Sequence, residues 1–352
     1  MQLLEMWPCN LLANRTNHSR RGGPASKRIG PGIQRKGLHG FECWQRAIER
    51  FIKFFCPPSI VSTEEVVPTP TFLGPKKKRR AMSDHSESSR EFAAEIDFAR
   101  ELTRALEDEQ FFLVYQPEID LHTNAFVGVE ALIRWRHPQR GVMNPDTFLP
   151  ELESSGLIME VGRWALATAC SQGAEWHDKG FRFTVSVNIS AMQFAWDGFV
   201  NEVEEVLLSS RFPAGLLVLE FAQRILDGEL AERLVDLAEL GVRLAVDDFE
   251  PGQSLLSDLE GLPITVLKLD RRFVATLSDS PAGTELVHSL VDLAKNKNVQ
   301  IVASGIEDAA QRQRLQLEDV GVGQGFLFSK PHEAAEIDRY LQDFSIFSGK
   351  PL

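Results

Sequence analysis

No stretch of this sequence reaches the roughly 18 consecutive apolar residues that a membrane-spanning helix needs. Its opening, "MQLLEMWPCNLLANRTNHSR", lacks the long apolar core of a secretory signal. Both absences point to a cytoplasmic protein without a membrane span. Cysteine is scarce: Cys9, Cys43, Cys56 and Cys170 are the only four, and no two have CxxC spacing. That excludes the usual zinc-ribbon and disulfide-scaffold patterns. No Gly-rich phosphate loop of the Rossmann or Walker type follows the first expected strand, which weakens an open dinucleotide-binding sheet.

Charge is present but divided. Residues 1–81 hold 15 Lys/Arg against 5 Asp/Glu, a net of +10, whereas residues 82–352 hold 23 against 45, a net of −22. An acidic main body repels nucleic acid, so no DNA binding is expected from it, although one cleft can still be locally positive. The first 81 residues show no sustained periodicity. They contain "RRGGP", "VPTPTFLGP" and "KKKRR", and read as a disordered basic leader. Met82 follows directly, and the helix-like "SDHSESSREFAAEIDFAREL" suggests that translation begins there and the leader is not translated. Residues 82–94 are a linker and helix start, and the ordered domain is expected over 95–346.

From about residue 91 the pattern becomes regular. The expected strands are "FFLVYQPEI", "FVGVEALIRW", "FTVSVNI", "LLVLEF", "RLAVDDF", "TVLKLD", "VQIVAS" and "QGFLF". Helices are expected near 91–107, 145–155, 159–177, 197–209, 226–240, 272–296, 308–317 and 333–343. Eight strands with repeated β-then-α units predict an α/β fold closed into a (β/α)8 barrel. Strand side chains alternate faces, and on that count Glu130, Asn188, Glu220, Asp247, Lys268 and Ser304 recur near the carboxyl ends of successive strands. On a barrel that rim is where active sites lie. Glu130, Asn188, Glu220, Asp247 and Asp248 are oxygen donors suited to a hard cation, Mg²⁺ or Mn²⁺. The adjacent Asp247 and Asp248 suit two ions that assist in-line phosphodiester hydrolysis.

The residues also carry a resemblance. "YQP" at 115–117, "EALIRW" at 130–135, "HPQRGVMNPDTFLPELESSGLI", "VNIS" at 187–190, "DDF" at 247–249, "KLD" at 268–270 and "QGFLFSKP" at 324–331 stand in order. Together they resemble the bacterial EAL domain, whose active members hydrolyse cyclic di-GMP to pGpG. The match runs over about 95–345. It implies a modified TIM barrel with one antiparallel strand. It further implies that Glu130, Asn188, Glu220 and Asp247 hold a first metal and Asp248 a second, with Lys268 beside the attacking water and Glu307 a further acid. Arg134 would hold a phosphate, and Gln116 and Gln324 would contact the nucleotide.

Three departures qualify that pattern. Ser304 stands where active members carry the general-base Glu, and a serine hydroxyl is no base near neutral pH. A positioned base is worth roughly 10²–10⁴-fold in rate. Gln223 replaces a second Glu that anchors the loop after Asp247. That loop reads "DDFEPGQSLL" instead of "DDFGTGYSSL", with Glu250 in place of a glycine and Pro251 restricting it. The expected protein is a degenerate EAL regulator or cyclic di-GMP receptor with little hydrolysis, working through a protein partner or homodimer. A weak phosphodiesterase and a nucleotide-blind interaction module are the alternatives.

Overall fold

The computed structural model of the chain describes residues 97–223, 231–249, 261–277 and 281–348. The expected leader and the altered loop from Glu250 onward lie outside the described residues. Among the described residues there are nine strands: β1 (Phe111–Asp120), β2 (Phe126–His137), β3 (Gly141–Met143), β4 (Thr184–Ile189), β5 (Leu217–Ala222), β6 (Arg243–Phe249), β7 (Val266–Leu269), β8 (Gln300–Ala303) and β9 (Val322–Gly323).

The sheet runs β1-β9-β8-β7-β6-β5-β4-β2-β3, and β1 also pairs with β2. Eight strands therefore close into a barrel, while β3 hangs outside on β2 as a hairpin. Strand β1 is antiparallel to both its neighbours, and every other barrel pairing is parallel. The expected modified barrel with one reversed strand is what forms.

Parallel barrel strands are covered on both faces, so they are apolar nearly throughout. Strand β5, "LVLEFA", is buried at every position but the last. Inside the barrel Val218, Ala245, Val266, Val302 and Val322 make one layer, joined by Val127. Outside it the helices bury one stripe each. Helix Ile158–Asp178 turns Ile158, Val161, Leu166, Ala169, Gly173 and Trp176 inward, the spacing of a single helical face. A smaller cluster of Phe98, Phe111, Trp135, Phe148 and Leu152 ties the helix at 97–107 to the far end of β2.

Two expectations are corrected here. "QGFLF" is not a strand: β9 is Val322–Gly323, and the chain turns at Gln324–Gly325. A Cβ on Gly325 would lie 2.1 Å from the carbonyl oxygen of Ile306, so only glycine allows this close backbone approach. The single helix expected over 272–296 is two, Arg271–Thr276 and Pro281–Lys297. Proline opens the second because its missing N–H is no loss in a first helical turn.

Candidate active site at the carboxyl rim of the barrel

Strand β2 sets one wall of the site. Glu130, Leu132 and Arg134 alternate along it, and all three line a cleft of about 320 Å³. Asp247, Asp248, Lys268, Ser304, Glu307, Gln116 and Gln324 share that cleft. Asn188 and Glu220 line an adjoining pocket of about 310 Å³, which meets the cleft at Leu132, Asp247 and Asp248. Register explains the convergence. Asn188 on β4 pairs with Glu220 on β5, Ala222 pairs with Asp247, and Gln116 on β1 pairs with Glu130. All the residues expected from the strand ends are thus at one rim.

The centre is a buried ion-pair network. The Lys268 ammonium donates to Glu130 Oε2 at 2.8 Å and to both Glu220 carboxylate oxygens at 2.8 Å. Glu130 Oε1 accepts from the Asn188 amide at 2.7 Å, and Oε2 accepts from Gln324 at 2.9 Å. Gln324 also donates to Gln116 Oε1 at 3.1 Å, and Gln116 donates to the Ser329 carbonyl at 3.2 Å. Lys268 and Glu220 are each only 1% exposed. Gln116 and Gln324 are also buried, so in this arrangement their side chains brace Glu130.

Electrostatics follow from burial and crowding. Burial disfavours the Lys268 ammonium, yet Glu130, Glu220, Asp247 and Glu118 outweigh it and hold its pKa well above the usual lysine range. Burial pushes Glu220 well up, and its acidic neighbours overcome the relief that Lys268 gives. Burial likewise raises Asp247, with Glu130 and Asp248 adding to the rise. Glu130 goes the other way: Lys268, Gln324 and Asn188 overcome burial and keep it ionised. More carboxylates than cations occupy the rim, which suits a hard cation in donor type and charge. Among the described residues, however, no three acidic, His or Cys side chains converge as a metal centre. Lys268 stands between Glu130 and Glu220 and holds them on its own ammonium.

Asp247 and Asp248 are brought together by something the alternation rule does not contain. Val246 pairs with Leu267 but Phe249 pairs with Leu269, so β6 carries one extra residue. That bulge, with Asp248 in the left-handed region at φ 53°, lets two adjacent carboxylates line the same cleft. Burial and the nearby Asp270 push Asp248 up.

Ser304 lies just past β8, where its N–H donates to the Leu269 carbonyl at 3.1 Å. Its hydroxyl is buried and has no hydrogen-bond partner among the described residues. Glu307 is exposed on the same wall. Gln223 follows directly on β5 and is partly buried. Sequence reading missed Arg271 and Phe326, which also line the cleft. The signal was available, since Arg271 continues "KLD" and Phe326 lies within "QGFLFSKP".

The EAL domain model matches residues 99–331. The chain is 38% identical over 248 residues to the bifunctional diguanylate cyclase/cyclic di-GMP phosphodiesterase MucR of Pseudomonas aeruginosa, covering 69% of this chain and 36% of MucR. It is 35% identical over 246 residues to the cyclic di-GMP phosphodiesterase PdeR of Escherichia coli K12, covering 69% and 37%. The chain thus spans little more than a third of the length of these relatives. A solved structure of the PaMucR phosphodiesterase in complex with c-di-GMP superposes with a TM-score of 0.65 at 37% identity. That alignment covers 68% of this chain and 99% of that one. With its reversed first strand, its carboxylate-lined rim and this match over most of its length, the chain belongs to the EAL domain family.

Proposed function

We propose that this protein is a cyclic di-GMP receptor or regulator that hydrolyses the nucleotide little or not at all. One observation carries the reading: Ser304, with a buried hydroxyl that has no hydrogen-bond partner among the described residues, lines the cleft in place of an acid. The rim keeps Glu130, Asn188, Glu220, Asp247, Asp248 and Lys268, while the position that needs a proton acceptor holds none. Arg134 presents a planar fork to phosphate oxygens. Gln324 donates to Glu130 and to Gln116, which steadies it there. Mg²⁺ or Mn²⁺, when bound by Glu130, Asn188, Glu220, Asp247 and Asp248, would supply a polarised water. Serine gives that water no base, so binding outlasts turnover. The bound state is then read by a protein partner or by a second copy of the chain.

Hydrolysis of cyclic di-GMP by purified protein, followed by chromatography, tests this against the Ser304→Glu variant. The natural protein is expected to be slower by roughly 10²–10⁴-fold. Turnover by the natural protein at ordinary enzyme rates overturns the proposal. The second reading, a weak phosphodiesterase, is favoured by the retained carboxylates and by Glu307 on the same wall. Any genuine slow activity disappears in Asp247→Ala.

A further inference from the structure

We propose that Arg271 and Ser304 together form an anion subsite on the cleft wall, which takes one of the two phosphodiester groups of the bound cyclic dinucleotide. This rests on the receptor reading above.

Arg271 is exposed and lines the cleft. It makes no hydrogen bond or ion pair with any described residue, in contrast to its neighbour Arg272, which donates from Nε to Asp270 at 3.1 Å. The root of Arg271 is fixed by the turn that carries Ser304. Gly305 has φ +74°, and a Cβ there would lie 2.4 Å from the Cβ of Arg271. Only glycine lets the turn at 304–305 lie flat against this arginine, so the side chains of 304 and 271 start from adjoining backbone.

The charges in the cleft then sort themselves. Lys268 is committed to Glu130 and Glu220 and has no charge to give a ligand. Arg134 makes one hydrogen bond, to the carbonyl of Ile133 at 2.7 Å, and forms no ion pair among the described residues. Two guanidinium groups in the cleft thus form no ion pair among the described residues, and a cyclic dinucleotide carries two phosphodiester charges. A glutamate at 304 would stand beside Arg271 and neutralise it. Serine leaves the guanidinium free, and its hydroxyl gives up no existing bond when it rotates toward an incoming oxygen. The substitution that removes a base thus also creates an anchor.

Calorimetric titration of the full chain with cyclic di-GMP, in Ca²⁺ to block turnover, tests the subsite. Arg271→Met keeps the packing against Gly305 and removes the charge. It should weaken binding roughly 10- to 100-fold, the worth of a charge-assisted hydrogen bond, while thermal melting stays unchanged. Arg271→Lys should recover part of the loss, because it restores charge without the fork. Ser304→Glu should weaken binding in the natural chain but add little in the Arg271→Met background, the signature of two residues acting on one group. Binding by the natural chain that Arg271→Met leaves unchanged overturns the subsite and spares the receptor reading. Equal Ser304→Glu effects in both backgrounds overturn the link between the two residues. No binding by the natural chain overturns both the subsite and the receptor.

Discussion

Lys268 is the residue on which the rim depends. An ammonium this deeply buried persists because Glu130 and Glu220 surround it at 2.8 Å. Removing one partner of a buried ion pair leaves uncompensated charge and costs about 3–5 kcal/mol. Lys268→Met should lose that much in denaturant unfolding. The sign of its pH dependence is fixed. Without the ammonium, Glu130 loses the charge that holds its pKa down, and Glu220, already raised by burial, rises further. The folded state then takes up protons more readily in acid, so the variant's deficit should shrink from pH 8 to pH 5. A deficit that does not change with pH would mean that packing, not charge, is what Lys268 contributes. Its identity as a strand-end residue was legible from "TVLKLD". Its engagement with two glutamates 138 and 48 positions away was not, because nothing local records that pairing.

At the scale of elements, two local irregularities place the chemistry. The bulge in β6 turns Asp247 and Asp248 to one cleft, where an unbroken strand would send them to opposite faces. The turn after β9 presses Gly325 against the backbone of Ile306, which in turn bonds to Gln324 through its N–H at 2.9 Å. That turn delivers Gln324 to Glu130. Gly325→Ala has no room, and should cost about 1–3 kcal/mol by overpacking. It should also disturb ligand binding through Gln324, which a melting curve paired with a titration would reveal. One helix start rests on a reciprocal cap. Asp308 accepts from the Gln311 backbone, and Gln311 reaches back to the Asp308 N–H, a capping box that starts the helix Ala309–Leu317.

For the whole barrel, closure is the controlling fact. The long antiparallel pairing of β1 with β2 shuts the sheet, and the helices then seal its outer face. Cys170, on helix Ile158–Asp178, lies fully within that seal, and burial pushes its thiol up to about 12. A thiol of that pKa carries almost no thiolate at pH 8, and it is out of reach of reagents. Alkylation of Cys170, followed by peptide mass mapping, should therefore be undetectable in the native protein and complete in denaturant. Labelling of the native protein at the rate of an exposed thiol would show that this helix opens without unfolding the barrel.

The sequence by itself determined the alternation of strands and helices, the closed barrel, and the polar residues at successive strand ends. Those features are local or periodic, and hydrophobic spacing records them directly. It also exposed Ser304, since a missing carboxylate is visible without coordinates. Tertiary structure alone decided which side chains share a bond. It put Lys268 between Glu130 and Glu220, turned Asp247 and Asp248 to one side, and brought Arg271 to the cleft wall that carries Ser304. These outcomes depend on register between strands far apart in the chain and on backbone dihedrals at single residues. Closing the barrel fixes both, and no window of sequence contains them.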